Sequence, residues 1–290
     1  MTTRRPLGGF VFVAPFLLLY LFLLIYPLVR GVLISFHRVD LFGGGHFVGL
    51  ANYAEILGDP VFGQAVVNTL LVTLMVVPPL TIVALLLALA LNRATRGAAI
   101  FRGLFFSSSV LSVTIVTLIW RFVLAPDSGL VGEGLKAVGH APLPFLSDAH
   151  LVLPAIAITT IWWSIGLPMM LFLAGLQQIP QEMYEAAALD RSSHWTTLTR
   201  ITLPALRRTV LLVVMLQTAA QLQLFGQSQL LTAGGPGGAS RTIVFFIYET
   251  AFVRWQLGYA AAGAEILFAM ILVVTFIQYM TLNRDREGQS

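Results

Sequence analysis

An all-α integral membrane protein with six transmembrane helices is the fold class that the sequence predicts, and three observations carry the prediction. Hydrophobic residues make up 57% of the 290 and charged residues only 10%, where soluble domains carry about 25% charged residues; mean hydropathy is +0.85. Six apolar runs are each long enough to cross about 30 Å of hydrocarbon. The runs are apolar all round rather than alternating, so their backbone groups are best satisfied inside helices and not in barrel strands.

The first run, 7–34, follows Arg4 and Arg5. It is longer than the roughly 7–15 residues of a signal-peptide core and lacks a small-residue cleavage pattern, so it reads as an uncleaved first span. The others fall at 66–91, 104–124, 151–176, 206–231 and 258–282. Pro15, Pro27, Pro78, Pro79, Pro154 and Pro168 lie inside or at the ends of these runs, where they kink or start helices. Residues 242–252, TIVFFIYETAF, are apolar over only half a span, which fits either a helix lying at the membrane interface or one packed on the bundle.

Orientation follows from arginine. With the N terminus inside, Arg4, Arg5, Arg93, Arg96, Arg102, Arg191, Arg200, Arg207, Arg208, Arg284 and Arg286 fall on the cytoplasmic side, eleven of the seventeen basic residues, as the positive-inside rule requires. Both termini are then cytoplasmic. Arg30, Arg38, Arg121, Lys136, Arg241 and Arg254 fall at or beyond the outer face, mixed with acidic residues such as Asp40, Glu55 and Glu249. The outer segments 35–65, 125–150 and 232–257 are each too small for a domain, so a separate protein is expected to capture any ligand outside.

Several chemistries are excluded. The net charge of +4 comes from short loops beside apolar spans, where it orients the chain in lipid rather than binding nucleic acid. There is no cysteine, and the single lysine, Lys136, follows Leu135, so neither a thiolate site nor a Gly-Lys-Ser/Thr phosphate loop exists. The five histidines show no metal-ligand spacing, and no Ser/His/Asp arrangement can be assembled. The chain is not expected to be an enzyme or to hold a cofactor or metal; if nucleotide drives the protein, another subunit is expected to bind it.

Polar side chains within the spans must face the bundle interior, a partner or water. On the fifth span Gln217, Gln221, Leu224 and Ser228 share a helix face, and Gln223 and Gln227 form another; on the fourth, Thr160, Trp163, Ser164 and Leu167 align. Amides and hydroxyls beside an indole suit a sugar, whose hydroxyls need donors and acceptors while its C–H faces rest on the ring. Hydrogen bonding between helices is the alternative use of the same groups. Glu265, about seven residues into the last span, is an intramembrane carboxylate and therefore a candidate for the substrate path or for ion or proton coupling.

One long polar interruption, residues 177–208, stands between the fourth and fifth spans. Pro180 fits a first helical turn with Glu182 and Glu185 near its positive end, and the run stops at Asp190 and Arg191. Ser192 or Ser193 then caps a second short helix with Trp195, Leu198 and Ile201 on one side, and Pro204 starts the fifth span. The segment is a helix, turn, helix outside the membrane.

Glu185-Ala186-Ala187, Asp190, Ile201 and Leu203-Pro204 match the spacing of the cytoplasmic EAA loop, and the segment resembles that loop in permeases of binding-protein-dependent ATP-binding-cassette importers. Arg191 and Ser192 stand where Gly-Ala is usual, and Leu198 where Phe is common. FVGLANYAEIL (47–57), NTLLVT (68–73), FRGLFF (101–106), LFLAGLQQIP (171–180) and the stretches 231–252 and 258–278 resemble the maltose/glycerol-phosphate branch of carbohydrate permeases. Glu265 occupies a position that is small or apolar in that branch.

The resemblance implies a single permease domain, 1–290, working with a second permease subunit, two ATPase subunits and an extracytoplasmic sugar-binding protein in a bacterial or archaeal cytoplasmic membrane. It also implies that an EAA-type coupling helix between spans four and five docks on the ATPase. Glu185 and Asp190 are the expected transmission residues and Ala186, Ala187 and Leu189 the apolar docking face; Thr160, Trp163, Ser164, Gln217 and Gln221 are expected to line the path. Arg191 poses a question of its own, since a left-handed turn there costs about 1–2 kcal/mol without glycine. Either the turn is built differently, or Arg191 stays right-handed and offers its charge to the ATPase.

Overall fold

The structure, a computed structural model, describes residues 7–39 and 44–287, with side chains from residue 12 to residue 281. Arg4, Arg5, Asp40 and the side chains of Arg284 and Arg286 lie outside the described residues. The architecture is that of a mostly helical membrane protein. Four helices are long and apolar enough to cross a bilayer: Phe12–Ser35, Pro60–Leu91, His194–Leu222 and Leu257–Thr281. Two further pairs pass the same test only together, Arg96–Ser108 with Val113–Val123, bent by 98°, and Val152–Ser164 with Gly166–Gln177, bent by 48°. The expected third and fourth spans are therefore broken rather than straight. A two-stranded antiparallel hairpin, His37–Val39 with Gly45–Phe47, is the one sheet among the described residues and was not expected.

The chain forms two compact units. The first joins the residues up to Pro60 to Phe246–Ala269. Its opening span is helical from Leu7 to Ser35 through a π turn at Leu21–Ile25. There the Tyr26 N–H reaches back to the Leu21 carbonyl, and Pro27, which has no N–H, follows at once. The wider turn carries the proline without a sharp break. Beyond the span, the buried Asn52 amide donates to the carbonyls of Ser35 (2.8 Å) and His37 (3.0 Å). The Tyr259 hydroxyl donates to Asp59 (3.1 Å), so the segment after the first span is tied to the start of the last.

The second unit holds 61–245 and the chain from Met270 onward. Its core is built from Val76 and Leu80 of the second span, Ile156, Met169 and Phe172 of the fourth, and Leu206 and Val213 of the fifth. The threonines of the second span bond their own helix, Thr69 to Ala65, Thr73 to Thr69 and Thr81 to Val77, which satisfies them inside an apolar element. The break in the third span follows a serine run. Ser112 caps the next helix by accepting from the Ile115 N–H, and Ser109 donates to the Trp163 carbonyl (3.1 Å), left open by the bend of the fourth span. Pro168, which cannot donate to Ser164, makes that bend. At the bend Gly166 lies so close to the third span that a Cβ would sit 2.7 Å from the Phe105 carbonyl oxygen.

The fifth span departs most from expectation. The short helix after Ser193 does not end before Pro204; His194–Leu222 is one helix of 29 residues. A π turn at Leu198–Thr202, with the Leu203 N–H on the Leu198 carbonyl, again precedes the proline. The helix stops at Leu222 and not at 231, because Thr242 takes the Leu224 carbonyl (2.7 Å) and Gly226 packs against Val113, where a Cβ would come within 2.7 Å. Ser228 leaves the expected face and is buried, donating to the Ser240 carbonyl. The glycine-rich loop that follows is pinned by Asn68, which donates to the carbonyls of Gly238 (2.9 Å) and Arg241 (3.0 Å). The short helix Ile243–Val253 buries Ile243, Phe245, Phe246, Thr250 and Ala251 and leaves Phe252 and Val253 exposed.

Close approach at Gly166 yields a stability test. Gly166→Val should lower the thermal stability of the purified protein by about 1–3 kcal/mol, the usual range for overpacking. Gly63→Ala, where nothing lies within 4 Å of a new Cβ, should raise it by about 0.5–1 kcal/mol. Equal effects of the two substitutions in a thermal unfolding assay would contradict the packing assigned to the bend.

Candidate functional site

The breaks in the third and fourth spans and the end of the fifth-span helix surround one cavity of about 480 Å³. Five of the six expected path residues line it: Thr160, Trp163, Ser164, Gln217 and Gln221. Glu265 does not. It belongs to the first unit, on the last span, its Oε1 3.6 Å from where a Gly31 Cβ would be. The glutamine faces, separate on an ideal helix, merge here: the chain leaves the helix at Leu222, and Gln223, Leu224 and Gln227 turn back to the same space.

The polar groups of the cavity are partly used and partly open. Gln221 donates to Gln217 (3.4 Å), Gln227 donates to Thr160 (3.4 Å), and Gln223 donates to the Ala219 carbonyl (3.0 Å). Each carboxamide has two N–H donors and an accepting oxygen, so every one of the four retains capacity for a ligand. The Trp163 indole N–H is taken by the Leu111 carbonyl (3.0 Å). That bond fixes the ring. Sequence reasoning missed Ser109, Val113, Ala220, Phe225 and Gly226 as lining residues. The serine run 107–109 inside an apolar stretch was the available signal for Ser109; the others depend on where the helices break.

The second candidate element is the polar loop. Its helix is Gln181–Leu189, with Pro180 at the cap position rather than in the first turn. Glu185 is exposed and accepts from Gln181 (2.8 Å). Ala186, Asp190 and Leu189 are exposed, Leu189 to 86%. Ala187 is buried inside the chain, so of the three residues expected on the docking face it alone is turned away. Trp195 is 72% exposed. The Tyr184 hydroxyl meets Thr202 (3.2 Å) within the π turn of the fifth span, which clips the loop helix to the base of the long helix.

Arg191 settles its own question: its φ is +50°, in the left-handed region. The Arg191 N–H bonds the Ala188 carbonyl (3.1 Å) and the Ser192 N–H the Ala187 carbonyl (3.0 Å), the pairing of a Schellman motif. Neither alternative holds: the turn is the ordinary one, and Arg191 itself takes the left-handed position. The two terminal hydrogen bonds hold the arginine in a conformation that glycine adopts freely.

No group of metal-ligating side chains occurs among the described residues. The family described as binding-protein-dependent transport system inner membrane component matches residues 48–284. The chain is similar to the multiple sugar-binding transport system permease protein MsmF of Streptococcus mutans, 33% identical over 96% of this chain and 97% of that one. It is also similar to the sulfoquinovosyl glycerol transport system permease protein SmoG of Agrobacterium fabrum, 30% identical over 94% and 89%. In fold it matches a chain of a bacterial ABC transporter involved in the import of the acidic polysaccharide alginate, with a TM-score of 0.85, 22% identity and coverage of 97% and 96%.

The turn at Arg191 is testable by hydrogen exchange. Arg191→Gly should relieve about 1–2 kcal/mol of backbone strain and slow exchange of the Ser192 amide by about tenfold. Unchanged or faster exchange would mean that the turn carries no such strain.

Proposed function

Because the chain belongs to the family of binding-protein-dependent transport system inner membrane components, we propose that it is the permease subunit of a carbohydrate importer that shares the translocation path with a second permease. Each bent pair crosses the membrane once, giving six spans with both termini in the cytoplasm. An extracytoplasmic binding protein delivers the sugar, and two ATPase subunits, which hold ATP and Mg, drive the cycle. Loop 177–208 is the contact with the ATPase, with Glu185 and Asp190 as transmission residues and Ala186 and Leu189 as the apolar docking residues. This chain carries no catalytic chemistry of its own.

One observation supports this reading above the others. The His194–Leu222 helix is unbroken, is clipped at its base to the loop helix through Tyr184 and Thr202, and carries Gln217 and Gln221 into the cavity. From His194 to Gln217 it rises about 35 Å at 1.5 Å per residue. A displacement of the loop helix by the ATPase is thus passed to the cavity wall by a single rigid element. ATP-driven closure of the ATPase pair would move that element and turn the path outward to receive sugar. The rival reading, an ion- or proton-coupled carrier, would act through Glu265 on the last span.

Two substitutions test the two ends of the helix. Glu185→Lys should leave the complex assembled while abolishing uptake and transport-stimulated ATP hydrolysis; normal uptake would sink the coupling role. Gln221→Leu should reduce sugar uptake by about tenfold or more, as expected when a buried polar partner of a ligand hydroxyl is lost. Undiminished uptake by Gln221→Leu would reduce the chain to a membrane scaffold for the ATPase. In proteoliposomes, uptake should survive a protonophore and stop on ATP depletion, and the reverse pattern would favour the ion-coupled carrier.

A further inference from the structure

We infer that the solute crossing this subunit is an uncharged saccharide, carrying neither carboxylate nor sulfonate nor phosphate; the inference rests on the carbohydrate-importer reading above. Among the described residues, none of those lining the cavity is charged. The sequence makes this a property of whole elements. No Asp, Glu, Lys or Arg occurs between Asp148 and Glu182, or between Arg208 and Arg241, the two stretches that supply most of the lining.

An anion entering such a space loses hydration with no cation of this subunit to offset it, which costs several kcal/mol. A neutral sugar has no such penalty. Its hydroxyls both donate and accept, and so do the carboxamides of Gln217, Gln221, Gln223 and Gln227. Trp163 adds a surface rather than a donor, because its N–H is already held by the Leu111 carbonyl. The indole is therefore left to pack against the C–H face of a pyranose ring. The related fold serves an acidic polysaccharide in the alginate importer, so the backbone architecture does not itself select charge. In this chain the side chains do.

The test uses the complete complex in proteoliposomes loaded with ATP, with the permease pair, the ATPase and the binding protein all present. Labelled neutral gluco-, galacto- and xylo-oligosaccharides are compared with uronic-acid oligosaccharides and sugar phosphates of matched length. In parallel, tryptophan fluorescence of the complex without the binding protein is titrated with the same compounds, and Trp163→Phe serves as the control. At least one neutral saccharide should be imported with a preference of about tenfold or more over its acidic counterpart, the scale set by an uncompensated charge. The same saccharide should give a saturable fluorescence change that Trp163→Phe removes. Equal or better import of, or response to, an acidic saccharide would overturn the inference and leave the importer reading standing. Import of a non-saccharide solute with no saccharide carried would overturn both.

Discussion

The His194–Leu222 helix is the constraint on which the rest of the second unit depends. A proline four residues from a carbonyl ordinarily kinks or ends a helix, and Pro204 stands where such an end was expected. The π turn at Leu198–Thr202 removes the conflict, because the Leu203 N–H reaches back five residues to Leu198 before the proline begins. The first span uses the same device at Leu21–Ile25 ahead of Pro27. In the fifth span the consequence is that the polar loop 177–208 and a polar cavity are joined by one continuous backbone.

Around that helix, the cost of polar groups in an apolar setting shapes everything else. Threonines on the second span are satisfied by their own carbonyls, so that helix is free to be pure scaffold. The broken third and fourth spans expose carbonyls that must be covered, and Ser109 on Trp163 and Trp163 on Leu111 cover them across the gap. These cross-braces hold the breaks apart as a fixed cavity instead of letting them collapse. The glutamines are then placed at the edge of a preformed space, which lowers the ordering cost of binding.

Much of this was legible in the sequence. The runs of apolar residues pointed to the four long apolar helices and the two bent pairs, and the polar spacing on the fourth and fifth picked five residues that share a cavity. The Schellman turn was foreseen as a difficulty at Arg191, though its resolution was not, since a sequence cannot say whether two terminal hydrogen bonds will hold a non-glycine residue at positive φ. Three things were hidden for a common reason, namely that they depend on which backbone groups find partners far along the chain. The end of the fifth-span helix at Leu222 depends on Thr242, the covering of the Trp163 carbonyl at the bend of the fourth on Ser109, and the hairpin at His37–Val39 on a strand pairing of three residues.

Rigidity of the long helix can be read directly, and the chain is suited to it because it has no native cysteine. Spin labels at Trp195→Cys and Leu216→Cys, two exposed positions near opposite ends, would report the length of the helix in the assembled complex with and without trapped ATP. The distance between them should stay constant across nucleotide states while the distance from either label to the ATPase changes. A change in the 195–216 distance on ATP binding would show that the helix bends in the cycle and would contradict its role as the rigid link between loop and cavity.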